Sequence, residues 1–173
     1  DNDDDIIVSD LLEVIDDQSL YFNPAKNNVI FTSSIGSWGF SLHQRVQKMT
    51  IFKNNPNLKK VFIKYGFSDV YYDKKAKKFV KGAIAKKKNP VFVQFILKPI
   101  FDVFDTIVNC CDGQKTQEMA DHMKLKMNNS DLKKIAINPA QVLKNFMSQW
   151  LPLGECVLKN IIDIIPSPMD VED

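Results

Sequence analysis

The chain has 173 residues, 45% of them hydrophobic, which is enough to bury the core of one ordinary domain. Its net charge of +2 conceals a segregation: residues 1–17 carry eight acids and no base, whereas residues 53–98 carry thirteen lysines and only two acids. The three cysteines have neither redox nor zinc-ligand spacing, no apolar run approaches the length of a membrane span, and the acidic start is unlike a secretory or mitochondrial leader. We therefore expect a folded cytosolic or nuclear domain with no membrane contact.

The first elements are a helix and a strand. Apolar residues at three- and four-residue spacing predict an amphipathic helix over residues 6–17. Residues 28–32 are short, apolar and β-branched, which predicts a buried strand that ends at the small polar residues Ser33 and Ser34.

A mixed region with a hairpin follows. A helix is predicted to begin at Trp38, and another short helix is expected to end near Gly66. Aromatic residues flank a charged tetrad within residues 69–82, which predicts a β-hairpin, and the lysine loop Lys86–Lys88 comes next.

The second half of the chain is predicted to be helical. Asn89 and Pro90 supply a cap and a first turn for a broad apolar core helix that should kink at Pro99 and end at the Cys110–Gly113 segment. The predicted fold class is therefore α+β, predominantly α-helical with a small β-hairpin. Further helices are predicted over residues 116–127, around 130–134, 139–150 and 156–165.

Motifs for chemistry are absent from this sequence. It contains no GxxxxGK[ST] phosphate loop, no DxxG and no NKxD. His43 and His122 lack the neighbours of a metal site, and the adjacent thiols at 110 and 111 follow a helix end, where the dipole opposes a thiolate. The carboxylates Asp102 and Asp105 should face water. We expect no catalytic residue and no metal site in the chain alone.

Several segments, taken in order, carry a family resemblance. Residues 28–42 include Gly36-Ser37-Trp38-Gly39-Phe40 and resemble the end of the nucleotide-binding domain of elongation factor 2-type GTPases. Residues 69–82, 90–97, 150–152 and 165–168 resemble that family's hairpin, long helix, closing helix and exit to the next domain. The stretches 81–94 and 148–152 look most like the branch that matures the large ribosomal subunit in the cytoplasm, rather than the translocase or the spliceosomal branch.

The resemblance implies a domain scheme and a nucleotide contact. Residues 1–37 would be the C-terminal part of the GTPase core, 38–150 an inserted helical subdomain, 151–168 a returning helix with the exit, and 169–173 a tail. Ser33, Ser34 and Ile35 would match the motif whose backbone N–H groups contact guanine. The remaining motifs for GTP and magnesium would precede residue 1, so the isolated chain is expected to bind no cofactor.

The resemblance also implies partners. The insertion of this family faces the stalk region of the large ribosomal subunit and its associated factors, and the implied activity is GTP-driven release of an anti-association factor with the Shwachman-Bodian-Diamond protein as cofactor. The candidate contact surface comprises Lys74, Lys75, Lys77, Lys78, Lys86, Lys87 and Lys88. An alternative remains open: a free-standing helical adaptor that binds RNA or an acidic protein through lysines and the aromatic residues Tyr71, Tyr72 and Phe79.

Overall fold

The computed structural model describes residues 21–49, 52, 56–73 and 78–165. The predicted helix over residues 6–17 therefore lies outside the described residues, as do Lys74, Lys75 and Lys77. After a 3-10 turn at Pro24–Lys26, the first regular element is an antiparallel hairpin of β1 (Ile30–Ser33) and β2 (Trp38–Ser41).

This first hairpin corrects two predictions. The segment that begins at Trp38 is a strand, not a helix, and α1 (Leu42–Lys48) begins only after Ser41, whose hydroxyl accepts a hydrogen bond from the Gln44 amide at 3.3 Å. The strand β1 is also only partly buried, because within the described ranges β2 is the only strand that pairs with it.

The predicted hairpin within residues 69–82 is confirmed. Helix α2 (Pro56–Tyr65) ends just before Gly66, and β3 (Val70–Asp73) then pairs antiparallel with β4 (Lys78–Lys81). The Tyr72 ring packs against Phe95 at 5.7 Å between centroids, which fixes the hairpin to the next helix.

The central helix α3 spans residues 91–109 and contains π-helical turns at Val93–Leu97 and Asp105–Asn109 around an α-helical segment, Lys98–Phe104. The first π turn directly precedes Pro99, which has no N–H to donate, and no break interrupts the helix there. Because a π turn accommodates one more residue, Val91 and Ile96 both stay buried although five positions separate them. The helix ends at Cys110, as predicted, and Cys111 has a left-handed φ of 50°.

The remaining helices are α4 (Gly113–His122), α5 (Asn129–Lys133), α6 (Pro139–Trp150) and α7 (Leu153–Ile164). The helix predicted over 116–127 begins earlier, because the Asp112 side chain caps it by accepting from the Lys115 amide at 3.0 Å, and it ends earlier as well. The predicted cap of α6 is confirmed, since the Asn138 side chain accepts from the Gln141 amide at 3.2 Å. Across the described residues the fold is mainly α-helical with two small antiparallel sheets, so the predicted class is confirmed.

One core joins these elements. The fully buried side chains include Val46 from α1, Phe62 from α2, Val103 from α3 and Phe146 from α6. Phe62 packs at 5.9 Å, edge to face, against Phe95. The core therefore lies between α3 and the helices that pack on it.

The chain returns to its first hairpin near its end. The Gly39 amide of β2 donates to the Leu151 carbonyl at 2.9 Å, and Trp38 forms a β-bridge with Pro152. A Cβ atom on Gly39 would lie 2.9 Å from Leu153 Cδ1 and 3.0 Å from Thr32 Cγ2, so α7 packs closely on β2 beside this glycine. None of the helices within the described ranges is both long and apolar enough to span a bilayer.

Candidate functional site

The loop between β1 and β2 holds the candidate guanine-contact residues. Ser33 is the last residue of β1, and its hydroxyl accepts a hydrogen bond from the Gly36 amide at 3.2 Å. The Ser34 carbonyl accepts from the Ser37 amide, also at 3.2 Å, which closes a tight turn. The structure thus brings Ser33, Ser34 and Ile35 together at one exposed tip.

Two backbone donors at this tip have no internal partner. Ser34 is exposed, and 90% of the Ile35 surface is accessible. Among the residues that the structure describes, the N–H groups of Ser34 and Ile35 donate to no acceptor. Adjacent N–H groups on a turn with small side chains form a concave donor surface that suits an electronegative ligand atom.

Gly36 and Trp38 set the shape of the turn. A Cβ atom on Gly36 would lie 2.6 Å from two atoms of the Trp38 indole, so the ring leaves no room for a side chain there. The Trp38 ring stacks nearly parallel on Phe40, with centroids 6.2 Å apart, and its Nε1 is buried without an acceptor in the described part of the chain. The loop therefore rests on a rigid aromatic base.

An apolar stripe is exposed on α7, which packs on both β1 and β2. Its members recur at helical spacing, and Ile162 is the most exposed, with 79% of its surface accessible. A soluble domain rarely leaves such a stripe uncovered. The stripe consists of Leu158, Ile161 and Ile162 on α7 and of Ile165, the residue that follows its C-terminal end.

The described part of the lysine surface is ordered and exposed. The loop Lys86–Lys88 is a folded turn held by Asp69, whose side chain accepts from the Ile84 amide at 2.8 Å. The Lys86 ammonium lies 5.5 Å from the Tyr71 ring centroid. Lys78 stands opposite Asp73 in the hairpin register, but neither it nor the three loop lysines forms a salt bridge with any described carboxylate.

The aromatic residues of the same hairpin face inward. Tyr71 is buried, and Tyr72 packs edge to face on Phe79 at 5.4 Å. Phe79 also contacts Phe62 of the core at 6.3 Å. These rings serve packing, and Tyr71 is too buried for a base to stack on it.

The remaining acidic groups and thiols form no candidate site. Asp102 pairs with Lys98 at 3.1 Å, and Asp105 accepts from the Asn109 side chain at 2.9 Å. The three cysteines are unpaired, and burial raises the pKa of the Cys156 thiol. No group of three or more potential metal ligands occurs in the ranges given above.

The two histidines differ. His122 is exposed, as predicted, whereas His43 is partly buried and its Nδ1 has no hydrogen-bond partner within the described structure. Burial, aided by Lys59 and opposed by Asp163, lowers the pKa of His43.

Sequence reasoning missed a buried arginine. Arg45 of α1 is 7% exposed, and its guanidinium lies 4.7 Å from the centroid of the Trp150 ring. Burial lowers the pKa of Arg45 to about 10, so the group stays charged at neutral pH. The available signal was its helical phase, three residues after Leu42 and four before Met49, which places a cation on the apolar face of α1.

Curated proteins from animals and fungi match nearly the whole chain, although no protein-family model does. The chain is 35% identical over 161 residues to elongation factor-like GTPase 1 of Homo sapiens, covering 92% of this chain and 14% of that protein. It is 33% identical over 153 residues to ribosome assembly protein 1 of Saccharomyces cerevisiae, covering 86% of this chain and 13% of the relative. The Schizosaccharomyces pombe protein of the same name is 30% identical over 163 residues, covering 92% of this chain and 16% of that protein.

These matches indicate the class of protein. The chain is similar, as one segment, to members of the elongation factor 2-type GTPase family. Within that family it is similar to the elongation factor-like GTPases whose fungal members are named for ribosome assembly. The chain spans about one seventh of the length of these relatives.

Proposed function

We propose that this chain is part of a GTPase that acts in maturation of the large ribosomal subunit, and that Ser33, Ser34 and Ile35 supply the backbone contact to the guanine base. The whole protein would bind GTP with magnesium through residues outside this chain. The observation that carries the proposal is the exposed turn after β1, where the Ser34 and Ile35 amides have no acceptor among the described residues.

The chemistry of guanine suits this turn. The O6 atom of guanine is a carbonyl acceptor, and two adjacent amide donors can hold it without any side chain. Adenine carries an amino group at the same position, so backbone donors would reject it. The small, exposed Ser34 side chain leaves room for the base to approach.

The apolar stripe on α7 supports the proposed domain scheme. Residues 1–37 and 151–168 would belong to the GTPase core, with 38–150 inserted between them. The Gly39–Leu151 hydrogen bond and the Trp38–Pro152 bridge hold the start of the proposed insertion against the returning segment, and α7 also packs on β1 of the first proposed core piece. The stripe and the unpaired edge of β1 would then be covered by the rest of the core, which accounts for their exposure here.

An atom-replacement experiment tests the base contact in a full-length protein that carries this segment. Ser34→Pro removes one N–H donor. We expect the wild-type protein to bind GDP more tightly than 2-aminopurine riboside diphosphate, which lacks O6, by about 3- to 10-fold, the value of one net hydrogen bond. The Ser34→Pro variant should lose most of this preference.

The control uses inosine diphosphate, which keeps O6 and lacks the 2-amino group. The preference for GDP over inosine diphosphate should be equal in wild type and variant, because the contact to the 2-amino group involves another part of the site. If Ser34→Pro keeps the full preference for O6, the turn does not contact the base.

The lysine surface would contact the ribosome. We propose that Lys74, Lys75, Lys77, Lys78, Lys86, Lys87 and Lys88 bind phosphates or acidic proteins near the stalk of the large subunit. Four of these side chains lie in the described ranges without a carboxylate partner there, which leaves their charge available. Since the nearby rings are packed inward, the contact would be ionic.

A free-standing RNA adaptor is less well supported. That function needs exposed rings interleaved with lysines, but Tyr71 is buried and Phe79 packs on the core.

A further inference from the structure

A groove separate from both candidate sites lies between α1, α3, the C-terminal end of α6 and the turn that follows α4. Its volume is about 630 Å³, within the range of pockets that bind small organic molecules. Among the described residues, its walls combine basic and apolar side chains, and no acidic side chain lines it. The basic residues of the wall are Arg45, Lys48, His122 and Lys124.

Arg45 is a buried cation in this wall that lacks an anionic partner. The side chain is more than nine-tenths buried, and its Nε has no hydrogen-bond partner within the described part of the chain. It forms no ion pair with any described carboxylate. Contact with the Trp150 face, at 4.7 Å, offsets only part of the cost of burying a cation. The guanidinium is therefore suited to an anion in the groove, and its planar fork matches the paired oxygen atoms of a phosphate group.

Lys124 belongs to the same wall and lies on an ordered turn. Its amide donates to the Asp121 carbonyl at 3.0 Å, and the Leu125 amide donates to the Ala120 carbonyl at 2.8 Å, which ends α4 with Lys124 in a left-handed conformation of φ 59°. For a residue with a Cβ atom, this conformation costs more than a surface cation at a helix C-terminus usually contributes. Stability alone would therefore favour glycine at position 124.

The charge of the wall matches a phosphate monoester. Lys48 pairs with Glu155 at 3.5 Å, but Arg45 and Lys124 pair with no described carboxylate, so these two positive charges are left in the wall. A phosphate monoester carries about −1.5 to −2 charges at pH 7, whereas a carboxylate carries only one. The phosphate group is therefore the better match.

The rest of the groove suits an aromatic ring. Met49 and Met123 line it together with Phe95. Thioether groups make favourable contacts with aromatic rings, and rings pack edge to face on one another. The groove thus places an aromatic-binding surface beside two unpaired cations.

We propose that this groove binds a small aromatic phosphate monoester, with the phosphate group at Arg45 and Lys124 and the ring against Met49, Phe95 and Met123. All five residues lie within the proposed insertion, so the site is separate from the guanine contact and does not require bound GTP.

The test titrates the 15N-labelled chain with phenyl phosphate and follows the amide signals of residues 123–125. Inorganic phosphate and phenol are the comparison ligands, because each carries one half of the proposed chemistry. Phenyl phosphate should bind about 10-fold more tightly than inorganic phosphate, the value of burying part of a ring, and phenol should bind more weakly still. Arg45→Met keeps the length of the side chain without a buried charge, so the fold should persist while phenyl phosphate binding weakens about 10- to 100-fold.

Replacing Lys124 by glycine separates binding from stability. Lys124→Gly should raise the melting temperature by about 2–4 °C, because glycine adopts the left-handed conformation without strain, and it should weaken phenyl phosphate binding. Lys87→Gly is the matched control: Lys87 is exposed and left-handed, with φ 51°, but lies outside the groove wall. That variant should gain similar stability and bind phenyl phosphate as the wild-type chain does.

Four results would each overturn the proposal. These are equal binding of phenyl phosphate and inorganic phosphate, unchanged binding by Arg45→Met, equal effects of the two glycine variants on binding, and no saturable shift at residues 123–125. Circular dichroism confirms that every variant is folded.

Discussion

Replacing Gly36 by alanine tests how the candidate guanine-contact turn is supported. The new Cβ would lie 2.6 Å from Cδ1 and Nε1 of Trp38 and 3.1 Å from the Ser33 hydroxyl oxygen. Carbon atoms prefer a separation of about 3.5–4.0 Å, so the indole must move by about 1 Å. That ring is stacked on Phe40 and lies beside the Pro152 bridge, which resists such a shift.

We expect Gly36→Ala to lower the free energy of unfolding by about 1–3 kcal/mol, the usual cost of forcing extra volume into a packed site. For a domain of this size, the melting temperature should fall by roughly 2–10 °C. Urea denaturation followed by tryptophan fluorescence and circular dichroism measures both the stability and the environment of Trp38.

Gly154→Ala is the matched control. Gly154 is exposed within α7, and a Cβ atom there would meet nothing within 4 Å. Because alanine favours a helix, this variant should gain about 0.5–1 kcal/mol of stability. The reasoning is refuted if Gly36→Ala is as stable as wild type, or if both variants change stability in the same direction.

Three further outcomes are expected. The isolated chain should show no measurable GTP affinity by calorimetry, since the phosphate-binding motifs are not in its sequence; micromolar binding would contradict the proposed division of the site. Changing the Lys86–Lys88 triplet to glutamine should weaken association with large ribosomal subunits and reduce its salt dependence, whereas the same change at Lys133 and Lys134 should have little effect; equal losses would mean nonspecific attraction. Because the pKa of His43 is lowered in the folded state, the unfolded state binds the proton more readily as pH falls from 7 to 5, so stability decreases over that window. A His43→Asn variant should show a flatter pH dependence, and an unchanged slope would assign the effect to other groups.

Local signals predicted most of the fold. The cap at Asn138 and the stop at Gly66 predicted helix ends close to those observed, and the aromatic residues that flank the tetrad 73–76 predicted the second hairpin. The strand β2 was missed because apolar residues at 38, 40, 42 and 46 fit either a strand or a helix. Ser41 followed by Gln44 is a helix-start signal that favours the observed boundary.

Packing between distant segments determined the features that the sequence pattern did not reveal. The three residues of the guanine-contact turn were identified by resemblance, and their exposure follows from the β1–β2 register. The burial of Arg45 depends on Trp150, which is 105 residues away, so no local pattern specifies that contact. The first π turn of α3 likewise keeps Val91 and Ile96 in one core.

A structure of a full-length protein carrying this segment, determined with GDP bound, tests the central proposal most directly. The account predicts that the Ser34 or Ile35 amide nitrogen lies about 2.7–3.2 Å from guanine O6, with the α7 stripe covered by the rest of the GTPase core. A guanine base held elsewhere, with the turn after β1 facing solvent, would contradict it.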